Sequence, residues 1–411
     1  MSQETIEQLR LKKVLINDIE IIREHITAIK IFETITQPGI TGYIDIMDYQ
    51  ALVEKGEVFA EDKIKIIFTV EGQTDLTLDY VLYSNEKGSV LPEQHYNTIR
   101  FNFCSSWLIQ GLSKTLSINY DDMKISQIIS SLLTECGAQI GYIEPTKQII
   151  ESFVSPYWSP YHIIKYLLSF AINSSGTGGY LCWTDLKTGK VNVTTLDYLM
   201  KGSLGRFDEF LVNPENPRYR GRIDNLTVET NYDIIRLLSN GGAGTKYYAF
   251  NFDKKKVIST ELNISNVNQT HLSSKYPLYP KYLNDIKYHN IAFCSLFPNT
   301  KGAITGDDSK LNDLLNGKIQ NDYSLLSTDV FKINFLTNGD PDRRCGWLAK
   351  LDFPSQNLNV EGQSSEINKQ YKGDYLIRDI SHSFSFYEEY SQAICLCSDG
   401  FKEFSRNIIS W

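Results

Sequence analysis

The residues Asp379, Ser381, His382 and Ser383 stand within five positions of one another, in the sequence DISHS. Aspartate, histidine and serine are the side chains of the hydrolytic triad, in which histidine takes the proton of a serine hydroxyl as that oxygen attacks a carbonyl carbon. This chemistry requires the hydroxyl and the imidazole to lie within hydrogen-bond reach of each other. The direction in which each side chain points therefore decides whether the segment is catalytic.

A β-strand through this segment would place the histidine and the serines on opposite faces, because successive side chains of an extended chain alternate. One face would carry Asp379, Ser381, Ser383 and Ser385, and the other Leu376, Ile380, His382, Phe384 and Phe386. The next run, YSQAICLC, alternates in the same way, with one side formed by Tyr390, Gln392, Ile394 and Leu396. The stretch from Tyr371 to Cys397 is therefore predicted to be a hairpin that turns at FYEEY, with His382 as a strand residue and not a catalyst.

The other histidines and the cysteines show no spacing typical of a metal site. No HxH or HExxH pattern occurs among His25, His95, His162, His271, His289 and His382. The seven cysteines include no CxxC pair, and only Cys395 and Cys397 are close together, on one face of the predicted strand. Scattered cysteines of odd number are typical of reduced, mostly buried thiols in a protein made in the cytoplasm. The sequence therefore predicts no metal ligand.

Two glycine-rich stretches and two pairs of acids are the remaining candidates for chemistry. GGAGT (241–245) and SSGTGGY (174–180) match neither phosphate-binding pattern, so their glycines are predicted to supply turns. Asp45 and Asp48 fall on opposite faces of a predicted strand, and the adjacent acids 388–389 fall in a turn, so neither pair fits glycoside hydrolysis. No catalytic residue and no cofactor-binding residue is predicted.

Composition and charge narrow the class of protein. The chain has 411 residues, of which 42% are hydrophobic and 22% charged, with a net charge of −8. At about 150 residues per domain, this length predicts two to four domains. The negative charge argues against a nucleic-acid surface as the main partner, because phosphate binding requires clustered lysine and arginine. We find no apolar signal segment at the N-terminus and no run of about 18 apolar residues, so we expect neither classical export nor membrane insertion.

The periodicity of apolar residues divides the chain into regions of different predicted secondary structure. From residue 19 to 103, short alternating runs such as DKIKIIFTVEG are separated by Gly, Asn and Pro, which predicts a barrel or sandwich. Between about residues 110 and 200, two amphipathic helices and a hairpin predict a small α/β region. The alternating pattern that predicts strands resumes at residue 222, with a predicted hairpin in TKYYAFNFDKKKVISTELN, and again at residue 328. Residues 264–326 are rich in Asn, Ser, Tyr and Pro and have weak periodicity.

The two helices carry recognisable end signals. In DDMKISQIISSLLTECG, apolar residues recur at helical spacing and Gly137 predicts the C-terminal stop. In WSPYHIIKYLLSFAINSSG, Ser159 is a favourable N-cap and Pro160 suits the first helical position. The apolar stripe of this second helix is Ile163, Ile164, Leu167, Leu168 and Ala171.

Three stretches share their order and character with one known family. ETITQPGITGYIDIMD is similar to that family's strand–turn–strand unit, and SFVSPYWSPYHIIKYLLSFA to its linker and the helix that follows. GWLAKLDFPS, with YKGDYLIRDISHSFS and YSQAICLCSDG after it, is similar to the closing strands. Together they resemble the central baseplate hub protein of contractile-tailed bacteriophages, a tail-tube-like family related to the hub part of type VI secretion spikes. The resemblance extends from about residue 18 to 400.

The resemblance implies an α+β, mainly β fold with two tail-tube-type β-barrel domains, an α/β domain between them and an insertion in the second barrel. The expected boundaries are 1–108 for the first barrel, 109–205 for the α/β domain, 206–263 and 327–400 for the second barrel, 264–326 for the insertion and 401–411 for a C-terminal tail. His382 is then a strand residue at the end of a barrel.

The resemblance also implies a structural function, without catalysis, cofactor or metal. Three copies with two barrels each would form a ring of six near-equivalent barrels, which adapts a sixfold tail tube to a threefold spike and forms part of the DNA conduit. The expected partners are two further copies of the chain, the central spike, tail-tube or tube-initiator proteins, the tape measure, baseplate wedge proteins and DNA in transit. The expected location is the baseplate of the virion, after assembly in the host cytoplasm. The alternative is a β-rich, tail-associated carbohydrate hydrolase or binding protein.

Overall fold

The described part of the chain folds mainly into β-strands with a few helices, as the sequence predicts. The structure is a computed structural model, which describes residues 9–49, 51–70, 74–87, 97–212, 216, 219–230, 244–251, 255–263, 270, 272, 290–294, 308–328, 331–352, 371–385 and 390–400. Thirteen of the described strands belong to one large sheet, and three smaller sheets lie beside it. No helix in these ranges is long and apolar enough to span a membrane.

Seven antiparallel strands build the N-terminal part of the large sheet. They are β1 (Leu9–Ile16), β2 (Ile19–Ile21), β3 (Ile26–Thr34), β4 (Thr41–Asp48), β5 (Lys63–Val70), β6 (Leu76–Lys87) and β7 (Asn97–Cys104). Their order in the sheet is β3-β4-β7-β6-β5-β1-β2. The predicted alternation is regular in β4, where every second residue is buried. The inward residues, among them Ile44, Phe68 and Phe101, form a first apolar core.

The segment that follows forms the α/β region. Its elements are α1 (Ser106–Ser113), β8 (Asn119–Lys124), α2 (Ile125–Glu135), β9 (Gln139–Ile143), β10 (Ile149–Val154), α3 (Pro160–Leu168), β11 (Tyr180–Thr184), β12 (Lys190–Thr195) and α4 (Leu196–Met200). Strands β8 and β10 form one small sheet, and β11, β12 and β9 form another. Helices α2 and α3 pack on these sheets and bury a second apolar core around Ile129, Leu133 and Ile163.

Six strands close into a ring in the C-terminal part of the large sheet. They are β13 (Arg206–Val212), β14 (Arg222–Thr230), β18 (Phe331–Asn338), β19 (Leu348–Asp352), β20 (Gly373–Ser385) and β21 (Tyr390–Ser398). The order β19-β13-β14-β18-β21-β20 returns to its start because β20 also pairs with β19. A third apolar core fills this closed β-barrel, with Phe210, Phe331 and Tyr375 fully buried.

Strand β20 belongs to both parts of the large sheet. Its residues 373–376 pair with β19 in the closed ring, whereas residues 379–385 pair with β3 of the N-terminal strands. The register against β21 shifts between Ile377 and Asp379, so a bulge at Arg378 marks the point where the strand leaves the ring. We call the β3–β20 pairing the seam.

Residues 264–326, which the sequence marks only as an insertion, contribute a strand and a long helix. Strands β15 (Gly244–Asn251) and β16 (Lys256–Asn263) form the predicted hairpin, whose residues 252–254 lie outside the described part. Strand β17 (Asn290–Cys294) pairs in parallel with β15, and these three strands form a sheet of their own. Helix α5 (Asp308–Ser327) lies against the α/β region, where Gln320 Oε1 accepts a hydrogen bond from the Gly178 backbone N–H at 2.7 Å.

The predicted end signals of α2 and α3 are confirmed. Gly137, two residues after α2, has a φ of +75°, a left-handed conformation that favours glycine. Pro160 is the first residue of α3 and Ser159 is its N-cap, with Oγ accepting the His162 backbone N–H at 3.4 Å and lying 2.8 Å from His162 Nδ1. The cap thus satisfies an N–H group that the helix itself leaves unpaired.

Replacing Ser159 by alanine is expected to reduce the free energy of unfolding by about 1 kcal/mol, because the helix loses its cap. Ser159→Asp should retain most of the stability, since a carboxylate can accept the same N–H and also favours the positive end of the helix dipole. Urea denaturation of the three proteins checks both expectations. Equal midpoints for Ser159→Ala and the wild type would contradict the capping role.

Candidate functional site

The DISHS segment lies in β20, and its side chains alternate as predicted. The buried side chains are Ile380, His382 and Phe384, and those on the outer face are Asp379, Ser381 and Ser383. The Nδ1 atom of His382 lies 2.9 Å from the Tyr390 hydroxyl and 3.2 Å from Gln392 Nε2. No serine is among its partners in the described part of the chain, so the structure does not assemble a triad here.

The imidazole instead belongs to a set of buried polar side chains on the inner side of the seam. We call it the seam cluster, and its members are Glu33, Asp340, Arg343, His382, Tyr390 and Gln392. Glu33 comes from β3, His382 from β20, and Tyr390 and Gln392 from β21. The remaining two lie in the 339–347 segment that connects β18 to β19. The seam cluster thus joins both parts of the large sheet to one loop.

Gln392 is fully buried and connects the strands of the seam cluster to its loop. Its Nε2 group donates to the Tyr390 hydroxyl oxygen at 2.8 Å and to the Asp340 carbonyl oxygen at 2.9 Å. The Asp340 carboxylate forms an ion pair with Arg220, at 2.6 Å from Nη2 and 2.8 Å from Nε. Both guanidinium nitrogens bond the same oxygen, Oδ2, while Oδ1 accepts the Asp342 backbone N–H at 2.9 Å.

Arg343 is the most deeply buried cation of the described residues, with 2% of its surface exposed. Its guanidinium donates to the carbonyl oxygens of Asn338 at 3.1 Å and Arg220 at 2.6 Å, and to Gln392 Oε1. The guanidinium carbon also lies 4.6 Å from the ring centre of Phe207 and 5.0 Å from that of Phe210. These cation–π contacts and hydrogen bonds offset the cost of removing the charge from water.

Burial sets the charge of the Glu33–His382 pair. Desolvation, with a smaller contribution from the negative charge of Asp185, raises the pKa of Glu33 to about 8. Desolvation, with a smaller contribution from the positive charge of Arg343, lowers the pKa of His382 to about 3. At pH 7 the carboxyl group is therefore protonated and the imidazole is neutral, so their contact at 3.6 Å is not an ion pair.

The seam cluster lacks the space and the nucleophile that catalysis would require. The cavity beside His382 and Arg343 has a volume of about 10 Å³, which is room for one water molecule. The nearby thiol of Cys345 donates to the Glu33 carbonyl oxygen, and burial raises its pKa well above the usual range, so it is a poor nucleophile. The arrangement is suited to holding strands and loop in one geometry.

Glu33, Asp340 and Arg343 are the members that the sequence analysis missed. Glu33 follows Ile29 and Ile31 at the inward positions of an alternating strand, and Ile35 continues the buried face. A charged residue in such a series signals a buried polar partner, because an isolated carboxylate is costly away from water. Nothing in the sequence indicates that this partner lies about 350 residues away in β20.

The outer face of the seam carries an open groove of about 770 Å³. Its floor consists largely of short polar side chains from β3, β14, β18, β20 and β21, among them Thr34, Thr227, Asn334 and Ser381. Phe32 and Leu336, both partly exposed, are the large apolar side chains on its surface. Farther along the same face, Arg100 makes a two-point ion pair with Asp45, at 2.7 and 2.9 Å, and stacks on Tyr43.

The other sequence candidates have structural contacts or lie outside the described residues. Asp45 pairs with Arg100, and Asp48 Oδ1 accepts the Leu52 backbone N–H at 3.0 Å. Within the 174–180 stretch, two glycines have positive φ, as expected for turns. The acids 388–389, three of the histidines (His95, His271 and His289) and residues 241–243 lie outside the described part. In that part, we find no group of acids, histidines and cysteines that could hold a metal ion, and none of the six cysteines whose side chains are described forms a disulfide.

Two solved tail proteins share the overall fold. The tail protein from Neisseria meningitidis has 10% sequence identity and a TM-score of 0.55, covering 96% of this chain and 98% of that protein. The 43 kDa tail protein of prophage MuSo2 from Shewanella oneidensis has 9% identity and a TM-score of 0.53, and the match covers 96% of this chain and 97% of that protein. A type VI secretion system component from E. coli has 9% identity and a TM-score of 0.47, covering 97% and 77%. No family model and no curated protein matches the sequence.

The resemblance predicted from the sequence is thus confirmed at the level of the fold, since both tail proteins are matched over nearly their whole length. The chain has the fold of these tail proteins.

Proposed function

We propose that the chain is the structural baseplate hub of a contractile phage tail. The observation that carries this proposal is the overlay on two tail proteins, which leaves almost no part of either chain unmatched. The described residues of the seam cluster, which are buried beside a cavity too small for a substrate, agree with a structural junction rather than an active site.

The hub acts as a trimer with six near-equivalent β units. In this proposal the closed ring supplies one unit of each chain and the N-terminal strands supply the other. Threefold symmetry then produces a ring that meets a sixfold tail tube on one side and a threefold spike on the other. In this proposal the chain contacts two copies of itself, the spike, tube or tube-initiator proteins, the tape measure and the wedge proteins.

The outer face of the seam lines the bore of this ring. Its short Ser, Thr and Asn side chains and its paired charges offer little to a phosphate backbone. The net charge of −8 acts in the same direction, because a basic bore would hold DNA rather than let it slide. DNA accordingly passes through the bore without being tightly bound. The chain acts in the virion, after assembly in the host cytoplasm.

The proposed domains are 1–108, 109–205, and a ring domain formed by residues 206–243 and 327–400. The pairing of β15 with β17 supports a longer insertion that starts near residue 244 and ends with α5 at 326. The hairpin of β15 and β16, assigned to the second barrel from the sequence, then belongs to the insertion, and residues 401–411 are the tail.

Size-exclusion chromatography with light scattering tests the proposal. The molecular mass is measured for the chain alone and for the chain mixed with a spike protein encoded by the same phage. We expect a mass of three times 47.0 kDa for the chain alone, or on addition of the spike. A chain that stays monomeric and does not bind the spike would contradict the hub function. This result would favour the alternative of a carbohydrate-binding or carbohydrate-cleaving protein. That alternative would then be tested by binding and hydrolysis assays on cell-wall sugars.

A further inference from the structure

Two buried polar atoms face each other across the seam without a hydrogen bond. In the β3–β20 register, Glu33 is opposite Ile380 and His382 is opposite Ile31, so the two polar side chains are diagonal neighbours on the inner face. The Oε2 atom of Glu33 lies 3.6 Å from the Nε2 atom of His382, and both side chains are at most 2% exposed. Neither atom has a hydrogen-bond partner among the described residues. An unpaired buried polar atom is costly, so two adjacent ones indicate an interaction that a proton completes.

We propose that Glu33 and His382 share one proton across the seam, and that this proton holds the N-terminal strands and the closed ring together. The proton is bonded to Glu33 Oε2 and donated to His382 Nε2, which requires the atoms to approach by about 0.7 Å. The other imidazole nitrogen, Nδ1–H, donates to the Tyr390 hydroxyl oxygen, and that hydroxyl donates to the Asp340 carbonyl oxygen at 3.5 Å. The Tyr390 oxygen then accepts hydrogen bonds from His382 Nδ1 and from Gln392 Nε2 and donates its own proton to Asp340.

The surroundings favour a pair that is neutral as a whole. The titratable or charged groups that face it from other elements are Tyr80, Asp185, Arg220, Asp340, Arg343, Arg344, Cys345 and Tyr390. The two acids among them are paired with cations, Asp185 with Arg344 and Asp340 with Arg220. Arg343 is the remaining cation, and its charge opposes a positive imidazole.

Loss of the proton leaves a carboxylate in a site with little water, so the seam loosens as the pH rises. Glu33 has a raised pKa of about 8 in the folded state against 4.5 ordinarily, so its stabilising contribution is lost as the pH rises towards 8. His382 has a lowered pKa of about 3 against 6.5, so its contribution is lost as the pH falls below 6.5. Between pH 4.5 and 6.5 the effects of Glu33 and His382 on folding stability have opposite pH dependences and cancel. Above pH 6.5 only the pH dependence due to Glu33 remains.

The equilibrium constant for folding is therefore expected to fall about tenfold between pH 6.5 and 8, since the dependence weakens as the pH approaches the folded-state pKa of Glu33. The Glu33→Gln variant keeps a donor for His382 Nε2 but cannot ionise, so its constant should not change over this range. The matched control is Glu229→Gln, which removes an exposed carboxylate from β14 and should keep the wild-type dependence. Urea denaturation at half-unit pH steps measures all three. An unchanged dependence in Glu33→Gln would overturn the proposal.

Amide hydrogen exchange distinguishes a loosened seam from a general loss of stability. In the wild type, protection of residues 379–385, corrected for intrinsic exchange, should fall between pH 6.5 and 8.5, while that of the β4–β7 pairing is retained. An equal fall at both places would contradict the role of this proton at the seam.

Infrared spectroscopy detects the shared proton without any dependence on how well a variant folds. At pH 7 the wild type should have the carbonyl band of a protonated carboxylic acid, which disappears by about pH 9. The absence of this band from folded wild-type protein at pH 7 would overturn the proposal.

Discussion

Replacing Arg343 by alanine is expected to reduce the free energy of unfolding by about 4 kcal/mol, because it breaks a buried network by removing one member. The carbonyl oxygens of Asn338 and Arg220 and the amide oxygen of Gln392 would lose a charged donor. The aromatic rings of Phe207 and Phe210 would also face a void in place of the guanidinium. Both losses occur where water cannot replace the contact.

Chemical denaturation of Arg343→Ala measures this cost, and two further variants show its origin. Arg343→Lys keeps the charge but cannot reproduce the planar fork, so it should lose about half as much. Arg206→Ala is the control, since the ion pair of Arg206 with Asp374 is largely exposed and should contribute less than about 1 kcal/mol. Equal midpoints for Arg343→Ala and Arg206→Ala would contradict the network described for the seam cluster.

Replacing Gly317 by alanine is expected to displace helix α5 from the α/β region and to reduce the free energy of unfolding by about 3 kcal/mol. A Cβ atom on Gly317 would overlap the backbone carbonyl oxygen of Phe170, which cannot move aside as a side chain can. The helix would have to withdraw, which exposes part of Leu314, Leu315 and Ile319, now at most 6% exposed. Intrinsic helix propensity alone would predict a gain of about 1 kcal/mol for the same substitution, so the sign is diagnostic.

Hydrogen exchange along residues 308–327, together with urea denaturation, tests this expectation. The control is Asn316→Ala, at an exposed position of the same helix, which should be neutral or slightly stabilising. A Gly317→Ala variant with wild-type protection in α5 would contradict the docking of this helix.

Local patterns in the sequence are sufficient for the elements whose burial follows their own periodicity. Alternation alone predicts that His382 points away from Ser381 and Ser383, and Ser159 and Pro160 predict the start of α3. The mainly β fold follows from the many short alternating runs.

Long-range pairings and close backbone contacts were not accessible in this way. The ring contains a parallel pairing of β13 with β19, two strands about 140 residues apart, and no spacing in either strand specifies the other. Helix α5 was missed because its sequence is rich in Asn, Asp and Ser, and it is placed by Gly317 and by Gln320, which bonds the Gly178 backbone. The seam cluster was not predicted because neither β3 nor β20 identifies the other as its partner strand.

The measurement that tests the central claim most directly is single-particle electron microscopy of the purified chain with its spike. The hub proposal predicts threefold particles with six similar densities around an open bore, and with the outer face of the seam, including Ser381 and Thr34, turned towards that bore. Isolated single chains, or particles in which this face is turned outwards, would contradict it.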